Sequence, residues 1–210
     1  DRTSTYCQTV LVWVQGSLHK TAMKQLWQRL TGGGQDRDGV GSERGTVEET
    51  DEDRRKDMLS CFEKYSKVGG FRTAVEHISS RELAMLPKDA YVLVDCRPER
   101  ERQVSRIPGS ISQQEFEAKN KEVFMSDNNN NNKKLVVTSC TIGYRSGKFA
   151  KQLVDRAKKE AKSNAKSKGH SPPSSGLSGL LVKNHRGSLM DWCHEGYSLV
   201  DPQGKETRNV

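Results

Sequence analysis

The 210-residue sequence predicts an α/β fold built on an open parallel sheet of about five strands with helices on both faces. Two apolar, β-branched-rich runs, Tyr91 to Cys96 and Leu135 to Ser139, have the continuous character of strands buried on both sides. Segments of helical period alternate with such runs from Met58 to His194. Strands separated by helices in this rhythm pair in parallel and are covered on both faces.

Residues 1–53 are expected to form an N-terminal extension. Val10-Leu11-Val12-Trp13-Val14 is apolar but too short for the core of a signal segment. Leu18, Met23, Leu26, Trp27 and Leu30 suit an amphipathic turn or two, and a helix and the remnant of a leader both fit them. Gly32-Gly33-Gly34 is a flexible stop, and the acidic, Gly-rich stretch 36–53 reads as linker. A leading helix spans 54–69, with Met58, Leu59, Phe62 and Tyr65 at helical spacing and Gly69-Gly70 ending it.

The main domain is expected over 70–202. His77 to Ser79 reads as a short strand, with Ser80 capping the helix that follows. Pro98, whose missing N–H costs nothing in a first turn, opens a short helix to Gln103. Ile107-Pro108-Gly109 turns the chain into a strand at Ser110 to Ser112, and Phe116 to Phe124 reads as helical. The tract Asn128 to Asn132 marks a loop insertion near 126–133. From about Ser146 a helix carries Phe149, Leu153, Val154 and Ala157 on one side, then dissolves into a Ser-, Gly- and Lys-rich insertion at 163–178. Leu180 to Asn184 is the last strand, Ser188 to His194 the last helix, and 203–210 a tail.

Hydrophobic residues make up 32% of the chain and charged residues 30%, which fits a domain of roughly 120–150 residues with solvated segments. No apolar run approaches the roughly 18 residues of a bilayer span, so no membrane-spanning helix is expected. The formal charge of +8 is unevenly placed: Lys148 to Lys168 holds eight bases against Asp155 and Glu160. No aromatic residues interleave with that lysine run, so it reads as a solvated helix face and no nucleic-acid partner is expected. Five cysteines, spread out and without CxxC spacing, argue against a disulfide framework and against a zinc module. They point to a reducing intracellular compartment, cytoplasm or an organelle such as a plastid. The chain opens at Asp1, which leaves a targeting segment open.

The informative chemistry lies where the strand Leu135 to Ser139 ends. Cys140 follows it directly, then a short loop with Gly143, then a helix. In open parallel sheets ligands bind outside the strand C-termini, and the first turn of the next helix offers unpaired N–H groups to an anion. Helix N-termini and a nearby arginine, here Arg145, lower a cysteine pKa and free the thiolate. Gly143 lets the loop curl its amides towards one point. Cys140 therefore reads as a nucleophile; the bland alternative is a small buried hydrophobe.

Cys140-Thr141-Ile142-Gly143-Tyr144-Arg145-Ser146 resembles the CxxGxRS active-site loop of rhodanese-type sulfurtransferases. Further marks stand in the family's order: Val94-Asp95-Cys96-Arg97-Pro98-Glu99 resembles its strand end, Ile107-Pro108-Gly109-Ser110 its turn, and Arg186-Gly187-Ser188-Leu189-Met190-Asp191-Trp192 its closing helix. The phrases Trp192-Cys-His-Glu-Gly and Leu199-Val200-Asp201-Pro202 resemble single-domain members of plant and algal type. The likeness runs from about Gly70 to Val200 and implies a rhodanese-like sheet with thiosulfate sulfurtransferase-like activity. Cys140 would take a sulfane sulfur from thiosulfate or a persulfide, hold it as a covalent persulfide without other cofactor, and pass it to a thiol or cyanide acceptor.

On that likeness Thr141, Ile142, Gly143, Tyr144, Arg145 and Ser146 bind the donor, with Arg145 facing the crevice to hold its negative charge, and Asp95 and Arg97 brace the site from beneath. The related cell-cycle phosphatases and arsenate reductases carry five residues between Cys and Arg; here there are four, and the tighter ring suits one sulfur better than a tetrahedral oxyanion. A non-catalytic module that binds a partner is the other reading. Arg106 stands where the family turn has His, His185 where it often has Asn-Leu, and Ser188 replaces a glycine. Cys96 reads as a core residue in the place of the usual valine, with a resolving thiol as the alternative. Cys193, His194, His185 and His170 show no ligand spacing, so no metal is expected. Trp192 reads as core, and a monomer is expected.

Overall fold

The computed structural model describes residues 50–118, 135–166 and 180–208. Thr50 begins the first element: its hydroxyl accepts from the Asp53 amide while the Asp53 carboxylate takes the Thr50 N–H. The helix that follows, α1 (Asp51–Val68), buries Met58, Phe62 and Ser66, one residue per turn. Strand β1 (Glu76–Ile78) leads to α2 (Ser80–Met85), and β2 (Tyr91–Asp95) to the four-residue helix α3 (Glu99–Arg102). Next come β3 (Ile111–Ser112), a helical stretch at 113–118, β4 (Leu135–Ser139), the long helix α4 (Tyr144–Lys166), β5 (Leu181–His185) and α5 (Ser188–His194).

The five strands form one parallel sheet in the order β1-β5-β4-β2-β3. The central pair β2–β4 stays in register from Tyr91 opposite Leu135 to Asp95 opposite Ser139. Side chains alternate between the faces. On one face Val94 and Val136 pack with Phe62, Phe71, Phe149 and Leu153 beneath α1 and α4. On the other, Leu93 and Val137 pack with Leu83, Leu189 and Trp192 beneath α2 and α5. Trp192 is core, its Nε1 donating to the Ser198 carbonyl. Among the described residues no helix is long and apolar enough to cross a membrane.

Several boundaries differ from expectation for identifiable reasons. Ser79, not Ser80, caps α2, because only Ser79 has a glutamate at the third helical position, Glu82, to complete the reciprocal bonds. The leading helix starts three residues early, inside the expected linker, because of the Thr50–Asp53 box. Helix α4 begins at Tyr144 rather than about Ser146 and carries on to Lys166. The tail holds a strand: β6 (Leu199–Val200) pairs antiparallel with β7 (Glu206–Thr207), and the Arg106 backbone exchanges two hydrogen bonds with Val200. The apolar run 10–14, the segment 18–30, the glycine stop, nearly all of the linker, the asparagine tract, residues 119–124 of the helix expected from Phe116 to Phe124, His170 and the rest of the second insertion lie outside the described residues.

Candidate active site

Strand β4 delivers Cys140 at its carboxyl end, where the backbone leaves the sheet. Its surroundings follow from how the loop's carbonyls are disposed of. The Cys140 and Thr141 carbonyls accept from the Leu189 and Met190 amides in the first turn of α5, and the Gly143 carbonyl accepts from Asn184 Nδ2 at 3.0 Å. With these acceptors tied outward, the amides are left to face the sulfur. The Gly143 N–H donates to Cys140 Sγ at 3.2 Å. Ser146 Oγ lies 3.5 Å from the sulfur and 2.7 Å from Asn184 Oδ1.

Gly143 makes the curl possible. Its φ of +96° is one that other residues rarely adopt, and an added Cβ would sit 2.7 Å from the Phe62 ring and 3.1 Å from the His185 carbonyl. Helix α1 therefore walls the loop from behind, Phe62 against Gly143 and Tyr65 edge-on to Tyr144 with ring centroids 5.8 Å apart. Ser188, in the place of a glycine, holds φ +50°. Its hydroxyl compensates: it accepts from the Cys140 N–H at 3.1 Å and donates to the His185 carbonyl at 2.9 Å, anchoring the loop at its first residue.

Cys140 is buried, 2% exposed, yet it is not sealed in an apolar interior. Burial by itself opposes the thiolate. The Arg145 guanidinium, the Ser146 donors and the Gly143 amide outweigh it and hold the thiol below its ordinary value. Cys96 moves the opposite way: burial, then the Cys140 charge, then Asp95, push its thiol well up.

Arg145 departs from expectation. Its guanidinium does not stand free in the crevice but is clamped by Glu101 of α3, with Nη1 and Nη2 donating to the two carboxylate oxygens at 2.8 and 2.7 Å. Nη2 also reaches Thr141 Oγ1 at 2.8 Å, and Thr141 Oγ1 contacts Glu101 Oε2 at 3.3 Å. Glu101 is only 4% exposed, so this is a buried, bidentate pair beside the sulfur. In the sequence Glu101 lies in a run of charges that carries no sign of burial.

The remaining residues fall into place around this centre. The Asp95–Arg97 pair is buried, with Arg97 Nη2 bonding Asp95 at 2.8 Å and the Ser105 carbonyl at 2.6 Å. It therefore braces the end of β2 sideways, to the turn after α3. Ile142 and Tyr144 lie half-buried in the loop and offer no side-chain donor to the sulfur. His185 is fully buried behind the loop, its Nε2 2.8 Å from Ser80 Oγ and its Nδ1 3.2 Å from Ser139 Oγ. Among the described residues no three His, Cys, Asp or Glu side chains are grouped to hold a metal ion.

Residues 81–195, from α2 to the turn after α5, match the model of the Rhodanese-like domain. The chain belongs to that family. Helix α1, which walls the loop, lies ahead of the matched Rhodanese-like segment. No curated protein matches the sequence. Similar solved structures include a thiosulfate sulfurtransferase from Pseudomonas aeruginosa, 17% identical, covering 70% of this chain and 23% of that one with a TM-score of 0.42. An As-Sb reductase from Leishmania major is 21% identical, covering 63% and 92% with a TM-score of 0.42. A protein of unknown function from Rhodopseudomonas palustris, a possible tyrosine phosphatase, is 21% identical, covering 76% and 98% with a TM-score of 0.39. The activities named for these three differ from one another, and each belongs to its own protein.

Proposed function

We propose that this Rhodanese-like domain is a sulfurtransferase that carries a sulfane sulfur on Cys140. The observation that supports it best is the convergence of the Gly143 N–H and the Ser146 hydroxyl on a thiol that Arg145 keeps below its ordinary pKa. The thiolate attacks the outer sulfur of the donor, the donor's sulfur–sulfur bond breaks, and sulfite leaves if the donor is thiosulfate. The product is Cys140–S–S⁻, whose terminal charge the loop amides share. An acceptor, cyanide or a thiolate, then attacks that outer sulfur and leaves as thiocyanate or a new persulfide, returning the Cys140 thiolate. Two displacements through one covalent intermediate give ping-pong kinetics. The step uses no metal or other cofactor, and donor and acceptor are a small molecule or the thiols of a protein.

Intact mass spectrometry after incubation with thiosulfate tests this. A gain of one sulfur atom, discharged by cyanide as thiocyanate and abolished in Cys140→Ser, is expected. No sulfur uptake by the folded protein, or Cys140-dependent hydrolysis of an aryl phosphate in its place, would overturn it.

A further inference from the structure

The sulfur-transfer chemistry leaves one thiol beside the site unused. Strands β2 and β4 run parallel and in register as far as Asp95 opposite Ser139, where the Cys96 N–H donates to the Ser139 carbonyl at 2.7 Å as the last bond of the pairing. Cys96 and Cys140 are the next residue on each chain past that last pair. Alternation decides which way both side chains face. Val94 and Val136 belong to the cluster beneath α1 and α4, so Cys96, two residues on, and Cys140, four residues on, return to that same face. Cys96 packs on that cluster, and Cys140 meets the α4 residue Ser146 there. Neighbouring strands lie about 4.8 Å apart, inside the ~4.4–6.8 Å between Cα atoms that a disulfide needs. The bond Cys96 Sγ makes in its resting position is weak, a 3.8 Å contact to the Val94 carbonyl.

We propose that Cys96 is a resolving thiol, closing a reversible Cys96–Cys140 disulfide when a peroxide oxidises the nucleophile. The Cys140 thiolate attacks the peroxide, breaking its O–O bond; the product is Cys140–SOH with hydroxide leaving. Cys96 then attacks that sulfur, forming the S–S bond and expelling the oxygen, which leaves as water with the Cys96 proton. The peroxide is reduced and the two cysteines are oxidised together. A dithiol reductant reopens the pair.

The charge pattern matches this division of labour. Cys140 is the thiol held low and Cys96 the one held high by burial, by the Cys140 charge and by Asp95. Oxidation to a neutral sulfenic acid removes the Cys140 charge, so the event that calls for a second thiolate also makes it easier to form. Without a partner, a sulfenic acid in a donor-rich pocket would proceed to sulfinic and sulfonic acid, which dithiols do not reverse.

The test treats the protein with a several-fold molar excess of hydrogen peroxide in the absence of small thiols, then measures intact mass and maps peptides. The expected result is a loss of two hydrogens, one linked peptide pair holding Cys96 and Cys140, and full reversal by dithiothreitol. Cys96→Val and Cys96→Ser, each checked for folding by circular dichroism, should instead gain two or three oxygens on Cys140 and stay oxidised. The proposal is overturned if wild type gains those oxygens as the variants do, links Cys140 to another cysteine, or leaves Cys140 unoxidised. No sulfur donor enters this experiment, so failure of the sulfur-transfer reading would leave its outcome untouched, and the reverse also holds.

Discussion

Acid should destabilise this fold through one residue before its carboxylates begin to protonate. His185 is wholly buried at the end of β5, and burial lowers its pKa from 6.5 to about 4, with Asp191 only partly opposing. The hydrogen bonds fix its tautomer. Ser80 Oγ donates to Asp191 Oδ2 at 2.7 Å, so it must accept from His185 Nε2–H; Nδ1 is then left to accept from Ser139 Oγ. Other polar groups facing this pocket are the Arg55 guanidinium, on Asp191 at 3.0 Å, and Glu195, also bonded to Arg55. A proton on Nδ1 would meet no anion.

Because the folded pKa lies below the unfolded one, the unfolded chain binds more protons between the two values. Stability is therefore intact above pH 6.5 and falls as the pH drops towards 4. The full gap is worth about 3 kcal/mol, of which about 2 kcal/mol is lost between pH 7 and pH 5. Urea denaturation of wild type and His185→Gln at both pH values measures it. Burial also lowers His77 and His194, but their contributions are common to both proteins and cancel in the difference. Wild type should lose about 2 kcal/mol more than the variant over this interval. Equal losses would show that the imidazole is either solvated or already charged, and the buried neutral network would be wrong.

Three further perturbations follow. Gly143→Ala places a side chain at φ +96° and 2.7 Å from the Phe62 ring, so it should cost about 3 kcal/mol in a denaturation series and abolish sulfur uptake. Arg145→Ala strands the buried Glu101 carboxylate; a loss of about 3 kcal/mol is expected, together with an upward move of the Cys140 alkylation midpoint measured with iodoacetamide against pH. Glu101→Gln keeps a neutral partner for Arg145 and removes one negative charge beside the sulfur, which should lower KM for thiosulfate about fivefold in steady-state assays.

The strands were readable because burial on both faces leaves continuous apolar runs: Tyr91 to Asp95 and Leu135 to Ser139 need no tertiary information. The loop was readable because its chemistry is local, with thiol, glycine and arginine within six residues. Read from the sequence, the cap of α2 falls one residue late, at Ser80, although the signal for Ser79 is there: Glu82 stands three residues on and completes a box that Ser80 cannot. Glu101 was not legible. Nothing in Glu99-Arg100-Glu101-Arg102 separates a buried carboxylate from solvated ones, because its partner lies 44 residues away. The β6–β7 pair was missed for another reason: strands of two residues carry no periodicity.

Charge balance explains why the site reads as single residues in the sequence but acts as one unit. A guanidinium only 21% exposed needs an anion, and Glu101 supplies it. A carboxylate 4% exposed needs a cation, and Arg145 supplies that. The Cys140 thiolate draws on the same guanidinium, so the cation lies between two anions and each holds it for the other. Helix α3, the loop and the start of α4 are joined through these three charges and through Thr141, which touches two of them. Removing one member leaves another buried and uncompensated, so each single substitution includes the penalty of the stranded partner. Arg145→Ala combined with Glu101→Gln should therefore cost less stability than the sum of the two, by about 1–3 kcal/mol. Strict additivity would mean that the arginine serves the sulfur and the carboxylate independently.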